Sequence, residues 1–314
     1  MNLKGRIRRI IKEVWGIDGI SLFVKKQKKK VKSKIYRRKY SADDIVKKMC
    51  EMGMSKGSNI FIHSSMTEFY NYEGSVKELI DKIIEVLGEE GTLLMPAYPK
   101  DKVLLTNEKE DVVVFDVNLT PSGAGYLSEV FRKYPGVKRS VNLQHSVCAY
   151  GKLSDYFLSE HFKSETAWDK FSPYYKMCQE KTLIFAFGLP YFLGTVIHCT
   201  ESLLKDKYEY FSNFFTKEVT YSYRDSSGIV SKTSFLTHDF ERKRNKKKII
   251  KKYFDRNQFH VKKISNLRLE MVEAKYTLDV LLNIAERGIT MYSKPDPKKF
   301  IINGKFIEND VQKD

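Results

Sequence analysis

Apolar residues at 76, 79, 80, 83, 84 and 87 recur at the spacing of one helix face, between Gly74–Ser75 and Gly88. That pattern predicts an amphipathic helix with a serine start and a glycine stop. Before it, NIFIHSSM reads as a buried strand running into a loop. After it, Gly91–Met95 reads as a second strand, closed by Pro96. Strand, helix and strand in this order predict a βαβ unit and an α/β fold. Upstream, Ser41 with Asp43 and Asp44 marks a helix start, and IVKKMCEMG a short helix ending at Gly53.

Farther along, Gly125–Tyr134 predicts a helix and Val147–Tyr150 a strand. Thr182–Phe187 is an apolar strand opening into GLPYFLGT, with a helix from about Val196. After residue 210 the pattern turns to hairpins, with YSYRDSSGIV the clearest turn, and helices are expected over 265–287. The sequence contains no internal repeat, and no hexapeptide repeat of the kind that builds left-handed β-helix acyltransferases.

The chain has 314 residues and a net charge of +17, unevenly placed. Residues 1–40 carry fifteen Lys or Arg against two acids, Glu13 and Asp18, so most of the excess belongs to this segment. Leu3, Ile7, Ile10, Ile11 and Val14 recur there at helical spacing among basic residues, a pattern that suits a helix lying in a membrane interface. A solvated arm fits the same composition. No zinc-finger or aromatic RNA-binding motif accompanies the charge, which argues against nucleic acid. We therefore divide the chain into a basic, helical N-terminal extension, 1–40, and a globular domain, 41–314. A second basic run, RKRNKKKIIKK, spans 242–252. No apolar run reaches the roughly 18 residues that span a bilayer, and the start lacks the apolar core of a secretory signal. Cys50, Cys148, Cys178 and Cys199 show no CxxC spacing and read as free thiols of a cytoplasmic protein, Cys148 and Cys199 as packing residues.

Candidate chemistry gathers in two stretches. RSVNLQHSVCAYG places Arg139, His145 and Ser146 in one short segment, and TVIHCTE places His198 and Glu201 three apart, on one face if helical. An amine attacking a thioester must lose a proton, and a histidine is suited to take it near neutral pH. The neighbouring hydroxyl could hold the carbonyl. His63 ends a buried strand, where α/β folds place ligands, with Ser64 and Ser65 beside it. Asp116 could orient a histidine or meet an ammonium. Ser122, Gly123 and Gly125 precede a helix and could offer amides to an anionic or carbonyl group. Each of these residues also has a purely structural reading, as a cap or a turn. His145, His198, Glu201 and Asp116 could instead ligate zinc, but HxxEH and HExxH do not occur. GxSxG is missing too, against a serine hydrolase.

Six blocks in order carry a resemblance: NIFIHSSM, YEGSVKELIDKIIEVLGEEGTLLMPAY, FDVNLTPSGAGYLSEVFRKYPGVKRS, HSVCAYG, the spaced His161 with SPYYK, and TVIHCTE. Over about 41–205 the chain resembles the aminoglycoside 3-N-acetyltransferase family, which is not of the GNAT fold. The resemblance implies an α/β/α layered domain with a central mixed sheet, acetyl-CoA as donor, an amine on a sugar as acceptor, and direct transfer without a metal. It implies that His63, Ser64, Ser65, Ser122, Arg139 and Ser146 hold the donor and that His198 and Glu201 are the family's HxxE. Asn142–Leu143 stands where many relatives have His–Pro, so His145 is expected to be the base, with His198, Glu201 and Asp116 positioning partners. The basic tail would repel a polycationic drug, and the acids of the 97–115 excursion (Asp101, Glu108, Glu110, Asp111) are offset by lysines. Charge therefore favours an amino sugar of surface-polysaccharide synthesis, nucleotide- or lipid-linked, with the enzyme held at the inner membrane face. An aminoglycoside antibiotic is the alternative acceptor. A metal-dependent hydrolase and a non-enzymatic membrane-binding protein are alternatives of other classes, and a homo-oligomer is left open.

Overall fold

The computed structural model describes residues 31, 35–99, 114–238, 244–292, 299–302 and 305–308. The amphipathic stretch expected over 3–14 and the acids Asp101, Glu108, Glu110 and Asp111 lie outside the described residues, as do 242–243 of the second basic run.

The N-terminal half alternates as the sequence predicts. Helix α1 (Ala42–Cys50) starts at Ser41, whose hydroxyl accepts the Asp44 N–H while the Asp44 carboxylate accepts the Ser41 N–H. Strand β1 (Asn59–Ser64) follows. Helix α2 (Val76–Leu87) opens on the same reciprocal cap, Ser75 with Glu78, and leads into β2 (Thr92–Pro96). Five side chains of α2 are buried: Val76, Leu79, Ile80, Ile83 and Leu87. Each contributes about 1.5–3 kcal/mol, against at most about 0.7 kcal/mol per residue of propensity difference, so packing holds this helix in place. A two-residue strand β3 (Phe115–Asp116), helix α3 (Tyr126–Arg132), β4 (Lys138–Arg139) and β5 (Val147–Gly151) come next. They are followed by α4 (Ser154–Leu158), α5 (Pro173–Gln179), β6 (Thr182–Phe187), α6 (Ile197–Leu204) and α7 (Glu209–Ser212). The last third holds the hairpin β7 (Phe215–Arg224) and β8 (Val230–His238), helix α8 (Lys246–Tyr253), β9 (His260–Ile264), β10 (Leu267–Glu273) and α9 (Ala274–Glu286). A small hairpin, β11 (Lys299–Ile302) with β12 (Lys305–Glu308), ends it.

Seven strands form the central sheet in the order β4-β5-β2-β1-β6-β10-β9. β1 is parallel to β2 and to β6, whereas β5, β10 and β9 join antiparallel to their neighbours. Alternation along β1 sorts the two faces. Ile60 and Ile62 pack with Leu79, Ile83 and Phe131 of α2 and α3. Phe61 packs on the other face with Tyr174, Ile197 and Leu278 of α5, α6 and α9. The result is the α/β/α layering and mixed sheet that the resemblance implied. Gly151, at the end of β5, has φ +118°, and a Cβ there would lie 2.1 Å from the Gly91 carbonyl oxygen. Only glycine lets β5 and the start of β2 approach this closely.

One expectation is corrected. Residues 267–273 form a strand, paired antiparallel with β6, rather than the start of a helix. Leu267, Leu269 and Met271 point to one face of the sheet, so the true period there is two. Cys148, Cys178 and Cys199 are buried free thiols and Cys50 is an exposed one. No helix among the described residues is long and apolar enough to cross a membrane.

Candidate active site

The parallel strands β1, β2 and β6 end at one edge of the sheet, the edge where open α/β sheets present ligand crevices. His63 and Ser64 finish β1, Tyr98 follows β2, and the loop 188–196 follows β6. Because β5 runs the opposite way, pairing Pro96 with Val147, His145, two residues before its start, arrives at the same edge. A cavity of about 620 Å³ opens there, lined among others by His63, Ser64, His145 and His198. That volume suits a small-molecule ligand.

Helix α6 carries the chemistry. His198 Nδ1–H donates to Glu201 Oε2 at 2.7 Å, one turn along the same helix. With Nδ1 holding the proton, Nε2 carries the basic lone pair. Glu201 also accepts from His238 Nε2, at the end of β8, and from the Tyr292 hydroxyl. It is 1% exposed. Burial alone would raise its pKa, but the two histidines and their hydrogen bonds outweigh that and hold it well below the usual carboxylate range. Burial pushes His198 down to about 4 despite the opposing pull of Glu201. Both groups are therefore in the form a base needs near neutral pH: a neutral imidazole beside a carboxylate. His198, Glu201 and His238 also present three metal-capable atoms within 4.8 Å of one another. Here the two imidazoles donate to the shared carboxylate.

His145 lines the cavity as well. Its ring lies 4.8 Å from Trp168, 5.2 Å from Tyr98 and 6.4 Å from His198, centroid to centroid. Burial first, and then the neighbouring histidines, press its pKa well below 6.5. The Asn142 side chain accepts the backbone N–H of His145 at 2.8 Å, so Asn142 shapes the turn that delivers it.

Several sequence-predicted site residues are engaged elsewhere. Asp116, expected to position a catalytic partner, accepts the N–H groups of Asn118 and Leu119 at 2.8 and 2.9 Å and faces Arg224 at 3.4 Å, so it caps a turn and braces β7. Arg139, expected to hold the donor, donates to the carbonyls of Thr120 and Ala97 and to Ser146 Oγ, and lies over the Phe115 ring. Burial lowers its pKa to about 10. Ser146 is fully buried and donates to the Ala97 carbonyl. Ser122 Oγ accepts the Ala124 N–H, and the Ser122 and Gly123 amides are taken by Glu129 and the Tyr98 carbonyl. Ser65 Oγ pairs with Thr67. In each case a polar group that sequence offers for a ligand is used to tie loops together. Of the donor-binding set, His63 and Ser64 line the cavity.

The expected His63 is joined by residues that went unnoticed in the sequence. Gln144 Oε1, like His63 Nε2, is buried without a hydrogen-bond partner among the described residues, and both residues line the cavity. Glu270, in β10, accepts the backbone N–H groups of Tyr191 and Phe192 at 2.9 Å each and so fixes the loop after β6. Arg244 and Lys246 line the cavity mouth from the start of α8. His238, Tyr292 and Glu270 carry no local motif. Only the basic run flags Arg244 and Lys246.

Residues 61–286 match the family model described as aminoglycoside 3-N-acetyltransferase. The chain belongs to this family. As an aminoglycoside 3-N-acetyltransferase family member it is an acyltransferase with acetyl-CoA as donor. It is 29% identical over 192 residues to YokD, the SPbeta prophage-derived aminoglycoside N(3')-acetyltransferase-like protein of Bacillus subtilis strain 168. That match covers 55% of this chain and 68% of the relative. In fold it is similar to AAC-IIIb, solved as a binary complex with CoASH, with a TM-score of 0.67 at 17% identity over 83% of this chain and 100% of the other. It is likewise similar to AAC-VIa bound to sisomicin, with a TM-score of 0.66 at 19% identity over 80% of this chain and 99% of that one. The family assignment and these folds agree with the mixed sheet described above.

Proposed function

We propose that this family member transfers the acetyl group of acetyl-CoA to an amino group of an aminoglycoside-type amino sugar, with His198 as the base. The names of its relatives favour an aminoglycoside acceptor over the surface-polysaccharide precursor that charge alone suggested. The observation that carries the reading is the His198–Glu201 pair at the wall of the cavity. Glu201 fixes the tautomer, so His198 Nε2 takes the proton that the amine nitrogen loses as the C–N bond forms and the thioester C–S bond breaks. The same imidazolium can then return that proton to the departing thiolate. This moves the base from His145, the sequence expectation, to the histidine that has a carboxylate behind it. His145 is the wall of the reacting centre, set at a tilt against Trp168 and Tyr98.

The donor supplies the activated acyl group when bound, and the cavity residues suit its pantetheine arm. The arm's amides offer both N–H donors and carbonyl acceptors. Gln144 Oε1 and His63 Nε2 are buried polar atoms awaiting such partners. Ser64 adds a hydroxyl. The peripheral, cytoplasmic placement through residues 1–40 remains a proposal of the same rank, tested by binding of full-length and 41–314 chains to anionic vesicles.

The decisive experiment measures acetyl-CoA turnover with an aminoglycoside panel for wild type, His198→Gln and His145→Gln. His198→Gln is expected to lose about 10²–10⁴ in kcat, the usual contribution of a general base. His145→Gln is expected to act mainly on KM. The reverse result would return the base to His145, and no acetylation of any amine would reject the reading.

A further inference from the structure

Three imidazoles surround one indole. The Trp168 ring lies 4.8 Å from the His198 ring, 4.8 Å from the His145 ring and 5.4 Å from the His238 ring, centroid to centroid. The planes of Trp168 and His198 meet at 42°. That separation is too short for two rings meeting edge to edge, so the imidazole overlaps part of the indole π face. Trp168 is fully buried. Hydrophobic packing accounts for its burial but not for its neighbours.

The elements that carry the imidazoles also hold the indole. The Trp168 backbone N–H donates to Thr166 Oγ1 at 3.3 Å, and Thr166 Oγ1 shares a 2.6 Å hydrogen bond with Ser202 Oγ of α6. The Thr166 backbone pairs with Leu236 of β8. Asp169 Oδ2 accepts the N–H groups of Glu165 and Thr166 at 2.6 and 3.2 Å. His198 sits on α6 and His238 ends β8, so indole and imidazoles share one frame, as a preorganised site requires.

The base needs such a neighbour. Burial holds His198 down at about 4, and the same burial makes its protonated form costly. That form is what His198 becomes when the amine N–H bond breaks and the proton moves to Nε2. Only an interaction stronger in the protonated state speeds this step. Glu201 supplies one at Nδ1. An aromatic face supplies another, because its quadrupole attracts a cation within about 6 Å of the ring centroid, tryptophan most strongly and more so where water is excluded. A neutral imidazole gains only dispersion from the same contact. Burial, and then the neighbouring histidines, keep His145 neutral.

We infer that Trp168 is a positioning residue of the reaction, its indole π face stabilising the imidazolium that His198 becomes as it takes the amine proton. The inference rests on the N-acetyltransferase reading with His198 as base and adds a residue to it.

Fluorination tests this with the shape of the ring kept. Each fluorine withdraws π density from the indole and weakens its hold on a cation. The full-length Trp15→Phe protein has Trp168 as its single tryptophan, and tryptophan or its mono-, di- and trifluoro forms are incorporated there. Turnover is measured with acetyl-CoA and sisomicin. We expect kcat to fall stepwise with fluorine count, about tenfold across the series, while acetyl-CoA KM and melting temperature stay constant. Equal kcat throughout overturns the inference. A melting temperature that falls in step with kcat does so too, since it confines the indole to packing. The series is then repeated in His198→Gln and His145→Gln. The slope is expected to vanish in His198→Gln and persist in His145→Gln. A slope that survives both substitutions overturns the inference. The reverse pattern places the cation on His145: it rejects His198 as base, and the inference as stated, by a result distinct from a flat series. No acetylation of any amine by the tryptophan form rejects the acetyltransferase reading and the inference with it.

Discussion

His198 and Glu201 lie one helical turn apart on α6, and the Nδ1–H of one donates to the Oε2 of the other at 2.7 Å. The contact fixes which ring nitrogen is basic, and two further donors, His238 and Tyr292, hold the carboxylate still. Glu201→Gln replaces one oxygen with a donor facing other donors. We expect kcat to fall at least 10- to 100-fold, the usual effect of removing the partner that orients a functional imidazole, while CoA binding persists. Full activity in this variant would show that tautomer control is dispensable.

The pH profile follows from the same pair. A base must be deprotonated, and burial holds His198 down at about 4. At saturating substrates kcat is therefore expected to stay level from about pH 8 to pH 5 and to fall only as pH approaches 4. A limb near 6.5, the ordinary histidine value, would mean that the reacting imidazole is solvated or that another histidine is the base.

Stability should respond to acid over a higher window. His63 and His161 are lowered to about 3 by burial, and His198 to about 4. The unfolded chain binds their protons below about 6.5 and the folded chain does not. Stability is thus fully present above 6.5 and is lost as pH falls toward 3–4. Each histidine contributes roughly 1.4 kcal/mol per pH unit in that window, so the three together remove on the order of 4 kcal/mol between pH 6 and 5. Urea midpoints at pH 7, 6 and 5 test this, and an unchanged midpoint would show that these rings are hydrated.

Chelation offers a separate test of the His198–Glu201–His238 cluster. Its nitrogens already donate to the shared carboxylate, so prolonged dialysis against a strong chelator is expected to leave turnover unchanged. Loss of activity restored by added zinc would instead make the cluster a metal centre.

What the sequence conveyed divides along physical lines. Elements with a clean period and a cap, such as β1, α2 and β6, were legible because burial on one face or both is written into consecutive residues. β10 was not, since Glu273 and Ala274 join strand to helix without a Gly or Pro, and the apolar positions run on. The His198–Glu201 pair was visible as an i, i+3 spacing. Its other partners were not, because His238 comes from the end of β8 and Tyr292 from beyond α9. Asp116, Arg139 and Ser146 misled for the opposite reason. Their residue types suggest ligand binding, but the hydrogen-bond capacity is spent on the Asn118, Thr120 and Ala97 backbone, which no local pattern announces.

Glu270 tests how far the site depends on such remote support. Its two oxygens accept the Tyr191 and Phe192 N–H groups, and it pairs with Arg268. Tyr191 has φ +55°, a left-handed conformation that a tyrosine adopts only when its surroundings impose it. Gly188 opens the same loop at φ +71°, where a Cβ would meet Glu68 Cβ at 2.7 Å. Glu270→Ala frees two backbone donors, at about 1–3 kcal/mol each if they stay unpaired, so a lower melting temperature is expected. The loop also carries Phe192, the ring beneath Lys246, and Thr195 at the cavity wall. If Glu270 positions that wall, acceptor KM rises in Glu270→Ala well below its melting temperature, and amide exchange at Tyr191 and Phe192 accelerates. A variant that loses stability but keeps its KM would confine Glu270 to holding the fold.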